Sequence, residues 1–194
     1  HTEDKDETVL NVVNMGLLKA GKSSLMNALL GKRDHFAVGE VRTTVAAESV
    51  VCDGIRYVDT PGLDATVEDA ADAEAAYSRA DAVLVVHNAK DGGYDPLEYE
   101  YLENLKRWLP NEGTAHQRLV PVLTRIDEIT VEDLNTIEAQ CARQWQTIFG
   151  IMPETIIHAA APRYWNGIDK GVEPLVKRSG IPELRRCVGT ALAV

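Results

Sequence analysis

Apolar residues arrive in short blocks separated by glycine, proline and charged turns, and the blocks are of two kinds. Val9–Met15, Ala82–Val86 and Leu119–Leu123 are compact runs with the length and β-branched content of strands covered on both faces. Other stretches repeat at helical spacing. Leu97, Tyr101, Leu105 and Trp108 follow Pro96, and a long helix is predicted from Ile129 to Phe149, closed by Gly150. Shorter helices are predicted over Ser24–Leu30, stopped by Gly31, over the Ala-, Glu- and Asp-rich Val67–Arg79, and from Ile181 onward with Pro182 in the first turn. Val45–Val51 and Ile55–Val58 flank Asp53-Gly54, a two-residue hairpin turn, so these two strands should run antiparallel. Thr155–His158 is a short last strand. Six strands and five main helices result. Lys32–Val45 has no sustained period and reads as a surface loop. Residues 161–180 carry Pro162, Gly167, Gly171 and Pro174 and are long for a connection, so they are either an extra functional loop or a short insertion. Residues 1–8 read as a charged lead-in and 9–194 as one domain, without an internal repeat or linker. The chain opens on His1 and ends in a helix at Val194, so the domain is expected to belong to a longer protein.

Between the first strand and the first helix lies Gly16-Leu17-Leu18-Lys19-Ala20-Gly21-Lys22-Ser23, which meets G-x-x-x-x-G-K-[ST] at every fixed position. The glycines let the backbone wrap around anionic oxygens, and the helix that follows points its positive end at the same place. Gly16, Lys19, Ala20, Gly21, Lys22, Ser23 and Ser24 are therefore candidate nucleotide contacts. Lys22 would reach the β- and γ-phosphates, and the Ser23 hydroxyl would bind Mg²⁺. Strand, phosphate loop and helix in this order predict an α/β, three-layer P-loop NTPase fold: a six-stranded, mostly parallel sheet with one antiparallel strand and helices on both faces.

Thirty-six positions after Ser23, Asp59-Thr60-Pro61-Gly62 ends the third strand. Asp59 is placed to hold a magnesium water, and the Gly62 N–H to sense a γ-phosphate. Thr124-Arg125-Ile126-Asp127 closes the fifth strand. It resembles the [N/T]-K-x-D base-recognition motif of GTPases, in which the aspartate accepts from two guanine N–H groups. Arg125 stands where that motif has lysine, and its guanidinium plane can cover the base by stacking. Asn88-Ala89-Lys90-Asp91 has similar letters, but its lysine falls third and it follows the fourth strand, so it is set aside.

Charge narrows the partners. Lys and Arg total 20 against 30 Asp and Glu, giving −10, with the acidic residues spread along the chain. Such a surface repels nucleic acid and anionic lipid at long range, so neither is expected as a partner and any basic surface must be local. Cys52, Cys141 and Cys187 lack metal-ligand spacing and read as reduced thiols packed as small hydrophobes. No apolar run is long enough to span a bilayer.

Over residues 9–192 the chain resembles the translation-factor-like GTPases, most of all the dynamin-like group, with Era-like GTPases next. The stretches that carry this are Gly16–Gly31 (GLLKAGKSSLMNALLG), Asp59–Leu63 and Ala80–Val86. The resemblance implies GTP as substrate, GDP as product and Mg²⁺-dependent hydrolysis. It makes Lys32–Val45 the first switch, with Thr43 or Thr44 binding Mg²⁺ and serving catalysis. It also places a backbone N–H of Ala159 or Ala160 near guanine O6. Leu63 stands where Ras-like enzymes carry a water-orienting glutamine. Lys19 stands where guanylate-binding and atlastin-like relatives carry a cis-acting arginine, which makes it the candidate to neutralise developing charge. Two classes of function follow: a hydrolase accelerated as a homodimer across the nucleotide site, or a slow, nucleotide-switched docking module. An ATPase is the third. The resemblance also implies a cytoplasmic domain, peripheral to a membrane only through regions outside this chain.

Overall fold

In the computed structural model, which describes residues 9–38, 47–63, 67–109 and 112–194, the apolar blocks form one six-stranded sheet. Its strands are β1 (Leu10–Met15), β2 (Glu48–Cys52), β3 (Ile55–Asp59), β4 (Ala82–Asn88), β5 (Leu119–Thr124) and β6 (Ile157–His158). They lie in the order β2-β3-β1-β4-β5-β6, and among the described residues every pairing is parallel except β2 with β3. The hairpin turn is the expected one: Asp53 and Gly54 both have positive φ, 51° and 76°, as a type I′ turn demands. Pro121 lies in β5 without an N–H to give. β6 pairs only with Val122 and Leu123, so that ladder begins just past the proline.

Seven α-helices cover the sheet among the described residues: α1 (Lys22–Leu30), α2 (Val67–Tyr77), α3 (Pro96–Trp108), α4 (Val131–Phe149), α5 (Ala161–Lys170), α6 (Glu173–Arg178) and α7 (Ile181–Ala191). Strand alternation sends Val13, Met15, Val83, Val85 and Leu123 to one face, where they meet Tyr77, Leu102, Leu105 and Trp145 from α2, α3 and α4. Val12, Leu84, Val86 and Val122 point the other way, onto Leu25, Met26, Tyr164, Leu184 and Val188 from α1, α5 and α7. Each such side chain, taken fully from water, contributes about 1.5–3 kcal/mol before the entropy of ordering it.

Five helices were expected, and α5 and α6 are the difference. The prolines and glycines of residues 161–180 mark helix ends rather than a loop. Pro162 and Pro174 sit in first turns, and Gly171 closes α5 at φ 62°. Gly167 is where α5 and α6 touch, for a Cβ there would lie 2.7 Å from the Val176 nitrogen. At the far end of α1, Gly31 is left-handed, and Arg185 of α7 donates from Nε to the Leu29 carbonyl at 3.0 Å and from Nη2 to the Ala28 carbonyl at 2.9 Å.

From β1 the chain builds β2 and β3 on one side of the sheet and then returns to lay β4 on the other. The carboxyl ends of β3 and β4 therefore flank the loop that leaves β1, the place where open α/β sheets take ligands. The end of β4 is anchored from below. His87, 1% exposed, sets Nδ1 2.8 Å from a Glu98 oxygen and Nε2 2.8 Å from the Gly92 carbonyl, so both ring nitrogens face acceptors. Glu98 also accepts from the Asp95 N–H and completes the capping box of α3. Burial is the largest single influence on His87 and opposes its charge, but the hydrogen bond and attraction of Glu98, helped by Gly92 and Asp91, outweigh it and raise its pKa above 6.5.

A proton held more tightly in the folded state stabilises that state. The contribution is complete below pH about 6.5 and is lost as pH rises through the raised folded value. Urea midpoints of wild type and His87→Gln, measured from pH 6 to 9, should therefore converge as pH rises; parallel curves would exclude the charged pair. Glu98→Ala, which leaves the ring cation buried and unpaired, should cost about 3–5 kcal/mol at pH 6.

Candidate functional site

The loop after β1 presses against the sheet. A Cβ on Gly16 would stand 2.2 Å from the Val86 carbonyl oxygen, so only glycine allows this approach to β4. Gly21 turns the chain into α1 at φ 89°, with no side chain capping the helix, and the first-turn amides are left for a ligand. Lys22 is buried and folds back along the loop, donating to the carbonyls of Gly16 at 2.9 Å and Leu17 at 2.8 Å. Ser23 donates its hydroxyl to Asp59 Oδ2 at 2.6 Å, which brings the start of α1 to the end of β3.

A residue outside every sequence motif organises this junction. Asn14, fully buried, donates Nδ2 to Asp59 Oδ1 and accepts the Thr60 N–H on Oδ1 at 2.9 Å, while its own carbonyl accepts the Thr60 hydroxyl at 2.8 Å. Leu63 donates its N–H to the Gly16 carbonyl at 3.2 Å, and its side chain enters the core against α2 and α3. The segment 59–63 is thus bonded to both ends of the phosphate loop.

Two adjoining cavities open over the loop. One, of about 500 Å³, is lined by Lys19, Lys22, Ser23, Gly62, Asn88 and Lys90 among others. The second, of about 430 Å³, is lined by Ser24, Thr124, Asp127, Glu128, Ala159 and Trp165 among others. Gly21, Ser24, Val38 and Arg125 belong to both, so the two form one trough. The first cavity gathers Lys19, Lys22, Lys90 and Arg125 against Asp91, a local cationic surface on a chain of net charge −10.

A profile of the 50S ribosome-binding GTPase family matches residues 11–125, the stretch from β1 through Arg125. The chain belongs to that family. It is a GTP-binding, GTP-hydrolysing domain, and an uncharacterised protein of Acinetobacter baylyi is 34% identical to it over 184 residues. That alignment takes in 92% of this chain but only 41% of the longer relative. Among solved structures, Arabidopsis thaliana Toc33 in complex with GDP and Mg²⁺ superposes with a TM-score of 0.66 at 16% identity, over 94% of this chain and 84% of Toc33. Aquifex aeolicus Era bound to GDP and AlF4⁻ gives 0.61 at 19%, over 86% of this chain and 56% of Era. These likenesses establish the fold.

Most of the residues singled out in this GTPase domain meet in the trough: Lys19, Gly21, Lys22, Ser23, Ser24 and Gly62 on the phosphate side, Thr124, Asp127 and Ala159 on the other, and Arg125 between. Gly16 and Ala20 support the loop from behind, Ala20 through its carbonyl, which accepts the Thr124 hydroxyl at 2.6 Å. Thr124 donates also toward the His87 carbonyl at 3.1 Å, so it ties β5 to β4 and the phosphate loop. Arg125 adopts φ 55° and opens the turn Ile126–Glu128, on which Asp127 stands exposed. Thr43 and Thr44 lie outside the described residues.

Two expectations need correcting. The N–H groups of Ala159 and Ala160 are already spent, on the Leu123 carbonyl at 2.8 Å and the Ser179 carbonyl at 2.9 Å, so neither is free for guanine O6. Ala161, the first residue of α5, lines the base-side cavity together with Ala159. Asn88-Ala89-Lys90-Asp91, set aside in the sequence, lies at the rim instead, because parallel pairing with β5 brings the end of β4 to the trough. Lys90 donates to Glu128 Oε2 at 2.7 Å, and that hydrogen bond, with the nearby Arg125, holds the exposed Glu128 carboxyl below its usual range. Away from the site, Cys141 is sealed beneath α4, where burial pushes its thiol up to about 12, in keeping with a packing role.

The Ser23 hydroxyl and Asp59 carboxylate are hard oxygen donors, the kind that Mg²⁺ takes alongside waters and phosphate oxygens. Asn14→Ala removes the acceptor of the Thr60 N–H and a donor to Asp59. It should lower unfolding free energy by about 1–3 kcal/mol in urea titrations and weaken the magnesium dependence of nucleotide binding.

Proposed function

We propose that residues 9–194 form the G domain of a larger protein whose GTP turnover depends on this trough, with Lys22 toward the β- and γ-phosphates and Asp127 selecting guanine. The observation that carries the assignment is the continuity of the phosphate loop with Asp127 through the shared wall of Gly21, Ser24 and Arg125. Ser23, Asp59 (through water) and Thr43 or Thr44 would hold Mg²⁺, and that threonine would serve catalysis. The metal, once bound, neutralises charge on the phosphates. Gly62 senses the γ-phosphate by its N–H, while Arg125 covers the base.

Catalytic assistance must come from somewhere other than Leu63, whose side chain is committed to the core. Lys19 is the candidate: it is exposed at φ 65° in the loop and lines the phosphate-side cavity. In the dynamin-like form of this reading two domains face each other across their nucleotides, and exposed Leu18 and Val38 beside the mouth suit such a contact. Buried Leu63 equally favours a second reading, a slow switch that docks a protein partner when loaded with GTP. In either case the reading takes the domain as cytoplasmic, and its acidic charge disfavours nucleic acid as a partner of this domain alone.

Phosphate release measured with GTP and Mg²⁺ over a range of protein concentrations separates the two. Specific activity that climbs with concentration supports the paired hydrolase; slow, concentration-independent turnover supports the docking module. GDP should outcompete ADP. Asp127→Ala should weaken GDP binding by about ten- to a hundredfold, the worth of hydrogen bonds to a charged acceptor at about 1.5–3 kcal/mol. Lys19→Ala should bind GTP as wild type does and hydrolyse it more slowly; unchanged turnover would remove Lys19 from catalysis.

A further inference from the structure

One carboxylate joins two cations from different strand ends at the rim of the trough. Glu128 takes Lys90 Nζ on Oε2 at 2.7 Å and Arg125 Nη1 on Oε1 at 3.2 Å. Lys90 comes from the end of β4 and lines the phosphate-side cavity, whereas Glu128 lines the base-side cavity and Arg125 lines both. The turn that presents Lys90 is built for the purpose. Asn88 accepts the Lys90 N–H on Oδ1 at 3.1 Å and donates Nδ2 to Asp91 at 2.9 Å, which fixes residues 88–91 as a tight 3-10 turn. Beneath it, buried His87 holds the strand end to Gly92 and Glu98.

Isolated ion pairs at this exposure, 40–45% for Lys90, Arg125 and Glu128, contribute little to folding. Two cations on one carboxylate, aimed from both sides into a trough that receives a polyanion, have a use in binding. A long, flexible lysine loses less on meeting phosphate when its head is already held nearby, and an arginine plane covers a base only when its rotation is fixed.

We propose that Lys90 is a nucleotide-binding residue, a further phosphate-side cation beside Lys19 and Lys22, and that Glu128 is the positioning residue that holds Lys90 and Arg125 over the site. This rests on the GTPase reading above and adds to it a contact from the end of β4. Lys90 reads the charge of the phosphates, so its share of affinity disappears when the ligand has none. Glu128 acts through Arg125 as well, so its share is felt on the base.

Competition against a fluorescent GDP analogue, in low and moderate salt, tests both roles with GDP, GTP and guanosine. Lys90→Ala should raise Kd for GDP and GTP about five- to tenfold, flatten their salt dependence and leave guanosine unchanged, while Lys90→Arg keeps most of the affinity. Glu128→Gln should raise Kd for GDP and guanosine alike about threefold, with thermal melting unchanged as befits an exposed pair. Charge alone predicts the reverse for GDP, because removing a carboxylate near the phosphates would tighten binding. The proposal is overturned if Lys90→Ala matches wild type in GDP affinity and salt slope, or if Glu128→Gln binds GDP more tightly. Wild-type protein without affinity for any guanine nucleotide is a different result: it ends the GTPase reading itself, before any variant is made.

Discussion

A single buried amide holds the nucleotide site together. Asn14 is fully buried near the end of β1, and its bonds to Asp59 and Thr60 extend the β1–β3 alignment past the last paired residues. A polar group taken out of water must find partners, and here the partners are residues that a nucleotide and its metal need in place. Ser23 reaches Asp59 across the same junction, so the beginning of α1 is referenced to the sheet rather than to its own loop. Tyr77, buried in α2 with its hydroxyl 3.4 Å from that of Thr60, extends the network into the core.

The charge distribution follows a similar economy. A chain ten charges negative discourages polyanions at a distance, yet four cations converge on one cavity within it. Long-range repulsion decays within about 10 Å at ordinary ionic strength, whereas charges inside a low-dielectric cleft are screened much less. A small, flexible polyphosphate can enter such a trough and meet those cations directly.

The sheet and the phosphate loop were legible because they are local statements. Val9–Met15 declares a covered strand, the loop has fixed letters, and Asp53-Gly54 permits one hairpin geometry. Residues 161–180 misled because proline and glycine punctuate helices as well as loops, and the difference lies in what Gly167 packs against, here Val176 of α6. Ala159 was placed at the right corner, but its N–H is claimed by Leu123 of β5 and that of Ala160 by Ser179 just past α6, and long-range bonds of that kind are invisible in a linear pattern. Asn14 resembled any polar residue in a strand. Lys90 was set aside because its motif has lysine third and follows the fourth strand, yet the pairing of Asn88 with Thr124 brings that strand end beside the fifth.

Arg185 gives the helix behind the phosphate loop a fixed stop. Its guanidinium grips the last carbonyls of α1 and the Tyr164 hydroxyl at once, so the rod running from Lys22 to Leu30 abuts α7 and α5 at its rear. The front of the same rod is tied to the sheet where Ser23 meets Asp59, so α1 is pinned at both ends and the amides of its first turn keep one bearing relative to β3.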